Sequence, residues 1–333
     1  MDDARSRFGP IRLRCSALVC VAACLTACGA DTERSGSASG DRANAGSGGA
    51  NGGRLGNGGS GGGRPGTAFA EYVPEGPPVA LDGVVNASDI AWKPTTDTFF
   101  VLADRVSELY EYEPDFRARR RTIALVNPPE DAEGLSYVRS LGTSDRLVLS
   151  TEAPTNMAWV FDLDESATTL DFATAVRQRY EPIGASKVPN RGLEGVALRA
   201  NEDGTQNWLY VCEEGEPQRE PIRVLRFAYD EGGQALETYR DGSLSVEEPF
   251  VASALFDSAV GDLSGLHYDG ATGTLLITSH LGSRLLRVDP DSGQVWDQML
   301  LTRSPQYEGV TLASGNRLVV VSEPNWVEIF RGR

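Results

Sequence analysis

Glu133, Glu194 and Glu308 each stand directly before a glycine that opens an apolar run, and Glu152, Glu214 and Glu323 each stand directly after the next apolar run. Ser88 and Ser264 hold the first position in two further copies of the pattern, and Asp104 and His280 hold the second. Seven of these ten positions are carboxylates, and an eighth is one of only two histidines in the chain. Asn86, Asp131 and Asp262 lie two residues before the first set. Brought together, so many carboxylates would raise one another's pKa unless a cation sat among them. Oxygen donors without thiols suit Ca²⁺ or Mg²⁺ better than zinc. Two readings stay open at this level: a divalent metal site, or a solvated acidic rim without an ion. Recurrence at equivalent places favours the first, because scattered surface charge has no period. The candidate ligands are Glu133, Glu194, Glu308, Glu323, Glu152, Glu214 and Asp262. His280 could be a ligand or a general base, though an isolated histidine is more often structural or solvated. His267, inside an apolar run, is expected to pack between neighbouring elements.

The elements that must position these residues come from five internal repeats. Residues 86–92, 131–137, 192–198, 262–268 and 306–312 share a polar turn, a small residue and an apolar strand. Each is followed by a turn and a second run, at 99–103, 147–151, 209–213, 275–279 and 318–322, and then by a third with period-two alternation. From Asp89 through Gly134, Gly195, Gly265 and Gly309 the spacings are 45, 61, 70 and 44 residues. The shorter spacings fit four-strand blades, and the longer two imply insertions in blades two and three. The expected fold is therefore all-β, a five-bladed β-propeller. In such a ring the first strand of a blade leaves one face and the second returns to it, so both sets of acids meet at one mouth of the central channel. The last repeat holds only three strands. An unpaired edge there would invite aggregation, and the apolar stretch Tyr72–Leu81 is expected to close the ring by supplying the missing outer strand. Asp289–Gly293 looks faintly like a calcium loop, but it lies at a hairpin on the opposite face and a plain turn explains it better.

Residues 1–28 form a processing signal rather than part of the fold. Four arginines precede an uncharged stretch of 13 residues from Cys15 to Ala27, too short for the roughly 20 a membrane-spanning helix needs. Leu25-Thr26-Ala27-Cys28 resembles the lipobox of bacterial lipoproteins, which implies acylation of Cys28 and attachment to a membrane through that anchor alone. Residues 29–67 are dominated by Gly, Ser, Ala and Asn and form a flexible tether, with a mean reach on the order of 35 Å. The propeller occupies 68–333. The whole chain carries −16; eight Arg against five acidic residues precede residue 68, which leaves −19 on the domain. Such acidity argues against nucleic acid and favours cations. Cys212 is the only cysteine beyond Cys28, in the apolar run Trp208–Cys212, where a buried inert thiol is expected. The expected location is the cell envelope, outside the cytoplasm. With Gly29 after the anchor, the outer membrane is favoured if there is one.

Asp262-Leu-Ser-Gly-Leu-His-Tyr-Asp, Leu285-Leu-Arg-Val-Asp, Tyr307-Glu-Gly-Val and Val321-Ser-Glu-Pro-Asn together resemble the SdiA-regulated family, the YjiK/CarP-type proteins. Asp131-Ala-Glu-Gly-Leu and Leu193-Glu-Gly-Val-Ala match too, so the likeness spans roughly residues 82–330. The resemblance implies a five-bladed propeller with a calcium site and no established enzymatic activity. It implies Glu133, Glu194, Glu308 and Glu323 as the ligands to carry over. The first repeat departs from the pattern, with Asp89 in place of the usual glycine.

Three function classes follow. The first is a calcium-binding, non-enzymatic envelope module that senses the ion or docks a protein or small-molecule ligand at the channel face. The second is a metal-dependent phosphoester or lactone hydrolase of phytase-like or gluconolactonase-like type, in which the cation activates water. The third is a metal-free interaction scaffold. Gly-x-Ser-x-Gly, Cys-x-x-Cys and phosphate-cradling loops are absent from residues 68–333. Phosphate chemistry would also call for basic residues on the acidic face, where only Arg105, Lys187 and Arg191 fall near.

Overall fold

The computed structural model describes residues 66–333 apart from 104–106, 129–131, 140–144, 153–154, 182–191, 200–206, 215–221, 230–236, 241–245 and 257–259. Cys28 and the tether up to residue 65 lie outside the described residues, as do Asp104, Asp131, Arg105, Lys187 and Arg191. Two short strands, β1 (Tyr72–Pro74) and β2 (Val79–Ala80), precede the first blade. Blade one is β3 (Ala87–Lys93), β4 (Thr98–Ala103), β5 (Glu108–Tyr112) and β6 (Arg119–Val126). Blade two begins with β7 (Ala132–Val138), β8 (Arg146–Thr151) and β9 (Met157–Asp162); β10 (Thr169–Asp171) and β11 (Val176–Glu181) follow. Blade three holds β12 (Leu193–Arg199), β13 (Trp208–Glu213) and β14 (Arg223–Ala228), then β15 (Glu237–Arg240) and β16 (Val246–Val251). Blade four is β17 (Gly265–Asp269), β18 (Thr274–Ser279), β19 (Arg284–Val288) and β20 (Val295–Leu300). Blade five is β21 (Gln306–Ala313), β22 (Arg317–Glu323) and β23 (Trp326–Gly332).

Within each blade the first three strands pair antiparallel in chain order, giving five sheets and the five blades expected from the repeats. Period-two alternation divides the second strand of each blade between its two neighbours. On β4, Phe100 and Leu102 face blade two while Phe99 and Val101 face blade five. On β13, Leu209 and Val211 face blade two while Tyr210 and Cys212 face blade four. Five apolar clusters result, one at each junction between blades. Cys212 is fully buried in one of them, and burial pushes its thiol pKa up, as expected of an inert packing residue.

Closure follows the expectation and adds a detail. Both β1 and β2 pair antiparallel with β23, so the outer strand of blade five is built from two short pieces. Ser322-Glu-Pro-Asn325 then joins the ends of the ring: Leu81 N–H donates to Asn325 O at 2.8 Å, Asn325 Nδ2 to Leu81 O at 3.1 Å, and Ala87 N–H to Pro324 O at 3.0 Å. The insertions in blades two and three do something the repeats did not foretell. β10 leaves its own blade and pairs in parallel with β6 of blade one, and β15 pairs in parallel with β11 of blade two. Each covers the outer edge of the preceding blade, where an exposed ladder would otherwise face solvent. Asp289 spends one carboxylate oxygen on the N–H groups of Asp291 and Ser292 and on the Ser292 hydroxyl, which makes residues 289–293 the plain turn expected.

Candidate functional site

The side chains at the channel mouth are aimed by irregularities in the inner strands. The register between first and second strands slips between Ala132 and Leu135, between Leu193 and Val196, and between Tyr307 and Gly309. These bulges fall on Glu133, Glu194 and Glu308, and a bulge re-aims a side chain that a regular ladder would point sideways. The glycine that follows is there because the next blade comes too close for a side chain. A Cβ on Gly195 would lie 2.5 Å from the carbonyl carbon of Gly265, and one on Gly309 would lie 2.6 Å from the Cα of Asp89. The hydroxyls of Ser150 and Thr278, on second strands, donate to the backbone carbonyls of Glu194 and Glu308 on the neighbouring blade, so the site glutamates are held from two blades at once.

A cavity of about 260 Å³ opens at this end of the ring. Its walls are Glu133, Glu152, Glu194, Glu214, Glu308 and Glu323, with His280, Asn86, Ser264, Gln306 and Leu263. Six of the seven candidate carboxylates therefore share one opening. The closest grouping is Glu152, Glu194 and Glu214, whose carboxylate oxygens lie within 4.8 Å of one another. Burial first, and then the charges of Glu133, Glu152 and Glu214, hold Glu194 well above the usual carboxylate range. Burial likewise pushes Glu308 up to about 8; His280 opposes the rise, and Glu323, Asp262 and Glu214 add to it.

Asp262, the seventh candidate, stands behind the wall rather than in it. It is fully buried, and one oxygen accepts the Ser279 hydroxyl at 2.7 Å and the Leu281 N–H at 3.1 Å. The other lies 2.8 Å from His280 Nδ1. Glu308 is the next carboxylate to that nitrogen, at 3.7 Å. Burial by itself would lower the His280 pKa, but Asp262, then Glu308 and Glu214, outweigh it and raise it to about 9. His267 sits between blades four and five, 3.5 Å from the Thr311 hydroxyl, and burial lowers it to about 4. Ser88, grouped by position with the glutamates, is buried away from the cavity. Gln306 and Leu263 were not singled out in the sequence. The signal for Gln306 was present all the same, since it occupies the same place in its repeat as Asn86, Asp131 and Asp262, two residues before the first set.

Fold and site together define a five-bladed β-propeller with a carboxylate-lined channel mouth. The chain belongs to the SdiA-regulated family, whose profile matches residues 77–331. Solved structures similar to the chain include glutaminyl cyclase of Myxococcus xanthus, at 13% identity, covering 78% of this chain and 95% of that one, with a TM-score of 0.46. A regucalcin of Agrobacterium tumefaciens strain C58, described as a calcium-binding protein, is 12% identical over 79% of this chain and 96% of its own, with a TM-score of 0.43. A luciferin-regenerating enzyme is 13% identical over 77% and 95%, also at 0.43. At these identities the likeness carries no chemistry, and the function has to be argued from the side chains.

Proposed function

We propose that the mouth holds a divalent cation, Ca²⁺ before Mg²⁺, on Glu152, Glu194 and Glu214, with Glu133 beside them. The protein then acts as a non-enzymatic binding or sensing module of the cell envelope, anchored through Cys28. The observation that carries the reading is the approach of three carboxylates to within 4.8 Å, two of them more than nine-tenths buried. Like charges held that close are unfavourable without a counter-ion. The donor set is oxygen alone, which suits a hard cation. Mg²⁺ demands near-ideal octahedral geometry, whereas Ca²⁺ accepts six to eight oxygens in irregular arrangements. A cluster drawn from one strand bulge and two strand ends meets the second requirement more readily. Glu308 and Glu323 line the same cavity and, where ionised, supply negative potential that draws a cation in.

The test is thermal melting of the full chain in EDTA, Ca²⁺ and Mg²⁺, with a phosphoester and lactone panel assayed on the same samples. An ion at one hundred times its Kd adds about 2.7 kcal/mol to stability. A Ca²⁺-dependent rise without turnover supports the proposal. Turnover would move the protein to the hydrolase class, and indifference to ions would leave a scaffold.

A further inference from the structure

The cation reading makes no use of the imidazole in the cavity wall. Asp262 fixes His280 by a contact at 2.8 Å and is itself fixed by Ser279 and Leu281. The turn between β18 and β19 is closed by its own bonds, Gly282 N–H to the Ser279 hydroxyl at 3.0 Å and Ser283 N–H to His280 O at 3.0 Å. An imidazole whose Nδ1 is held by a buried carboxylate presents its other nitrogen in a set orientation. Asp262 and Glu308 both approach the ring at Nδ1, and the ring lines the cavity. Its neighbours in the wall are polar apart from Leu263.

We propose that His280, held by Asp262, is the ligand-selecting residue of this cavity, and that the ligand is a small uncharged molecule rich in hydroxyls, such as a polyol or a single sugar ring. This rests on the cation site proposed above. Ionised carboxylates only accept hydrogen bonds, and a bound cation keeps Glu152, Glu194 and Glu214 ionised, so this wall calls for a ligand that brings donors. Anions are repelled by the same wall, and an organic cation would compete with the metal for Glu152, Glu194 and Glu214. A hydroxyl can donate to a carboxylate, coordinate the cation through its oxygen, and either donate to or accept from His280 Nε2, so the contact survives in both protonation states of the ring. The size points to a ligand smaller than a drug: pockets for drug-sized ligands run about 300–1,000 Å³, and this one is about 260 Å³.

Isothermal titration of the full chain, first with Ca²⁺ and then with myo-inositol, D-glucose, inorganic phosphate and putrescine, tests the proposal. Expected are millimolar binding of a hydroxyl probe by the calcium-loaded protein only, and a loss of about tenfold in His280→Ala, the scale of one hydrogen bond, with calcium affinity retained. His280→Gln, which keeps a hydrogen-bond donor and acceptor at that place, should lose less of the probe and none of the calcium. Calcium binding with no hydroxyl probe bound overturns the inference and leaves the cation site standing. Preference for phosphate or putrescine, or equal probe affinity in both variants and the parent, also overturns it. No calcium binding at all sinks both.

Discussion

Asp89 of the first blade stands where the other four blades carry glycine, and its carboxylate accepts the backbone N–H of Leu135 in the second blade at 2.6 Å. The other oxygen accepts the N–H of Ile90 at 2.7 Å. The side chain is fully buried and burial holds its pKa well above the usual range, against the pull of those two donors. The departure from the family pattern in the first repeat is thus a link between two inner strands.

Removing that link should be costly. Asp89→Ala leaves two buried amides without acceptors, at roughly 1–3 kcal/mol for each unsatisfied group. Urea denaturation should show the midpoint falling with the slope unchanged. Asp89→Gly, although it copies the other repeats, should be destabilised as well. A glycine variant as stable as the parent would show that the carboxylate's two bonds contribute nothing.

Close approach of neighbouring blades makes the inner glycines intolerant. Gly195→Ala would drive a methyl into the backbone of Gly265, which cannot swing aside as a flexible side chain could. Overpacking of this kind typically costs about 1–3 kcal/mol, or several degrees in Tm at roughly 2–4 °C per kcal/mol for a domain of this size. Gly76→Ala, where nothing lies within 4 Å, should change Tm by less than a degree or two. Equal melting of the two variants would contradict the packing described.

Without a cation, stability should fall as pH rises. Glu308 titrates at about 8 in the fold against an ordinary 4.5, so its contribution is complete below 4.5 and is lost as pH climbs through about 8. His280, raised from 6.5 to about 9, contributes fully below 6.5 and loses that contribution through about 9. Both act in the same direction. In EDTA the Tm should therefore drop by several degrees between about pH 5 and pH 9. Calcium must displace protons from the carboxylates, so its stabilisation should grow over the same interval. A Tm in EDTA that is flat or rising across this range would refute the charge arrangement.

Much of this was legible in the chain itself. Five copies of a turn, a small residue and an apolar strand announced the blades, because each blade buries both faces of its second strand and so repeats one pattern of period two. The mouth was legible for the same reason: Glu133, Glu152, Glu194, Glu214, Glu308 and Glu323 occupy repeat-equivalent positions, and a ring maps equivalent positions to one face. The parallel additions of β10 and β15 to the preceding blades were not, since three- and four-residue strands pair with a partner some 45 to 60 residues away and carry no local signal of it.

The sequence by itself determined the architecture and the ring of acids, both being consequences of periodicity. Only the tertiary structure decided how those acids divide. Glu152, Glu194 and Glu214 draw together, while Asp262 withdraws behind His280, and Glu308 lies nearer that ring than the others do. The reason is that distances within such a set depend on where each bulge turns its strand and which hydroxyl of the next blade holds it, and both are settled by contacts between residues far apart in the chain.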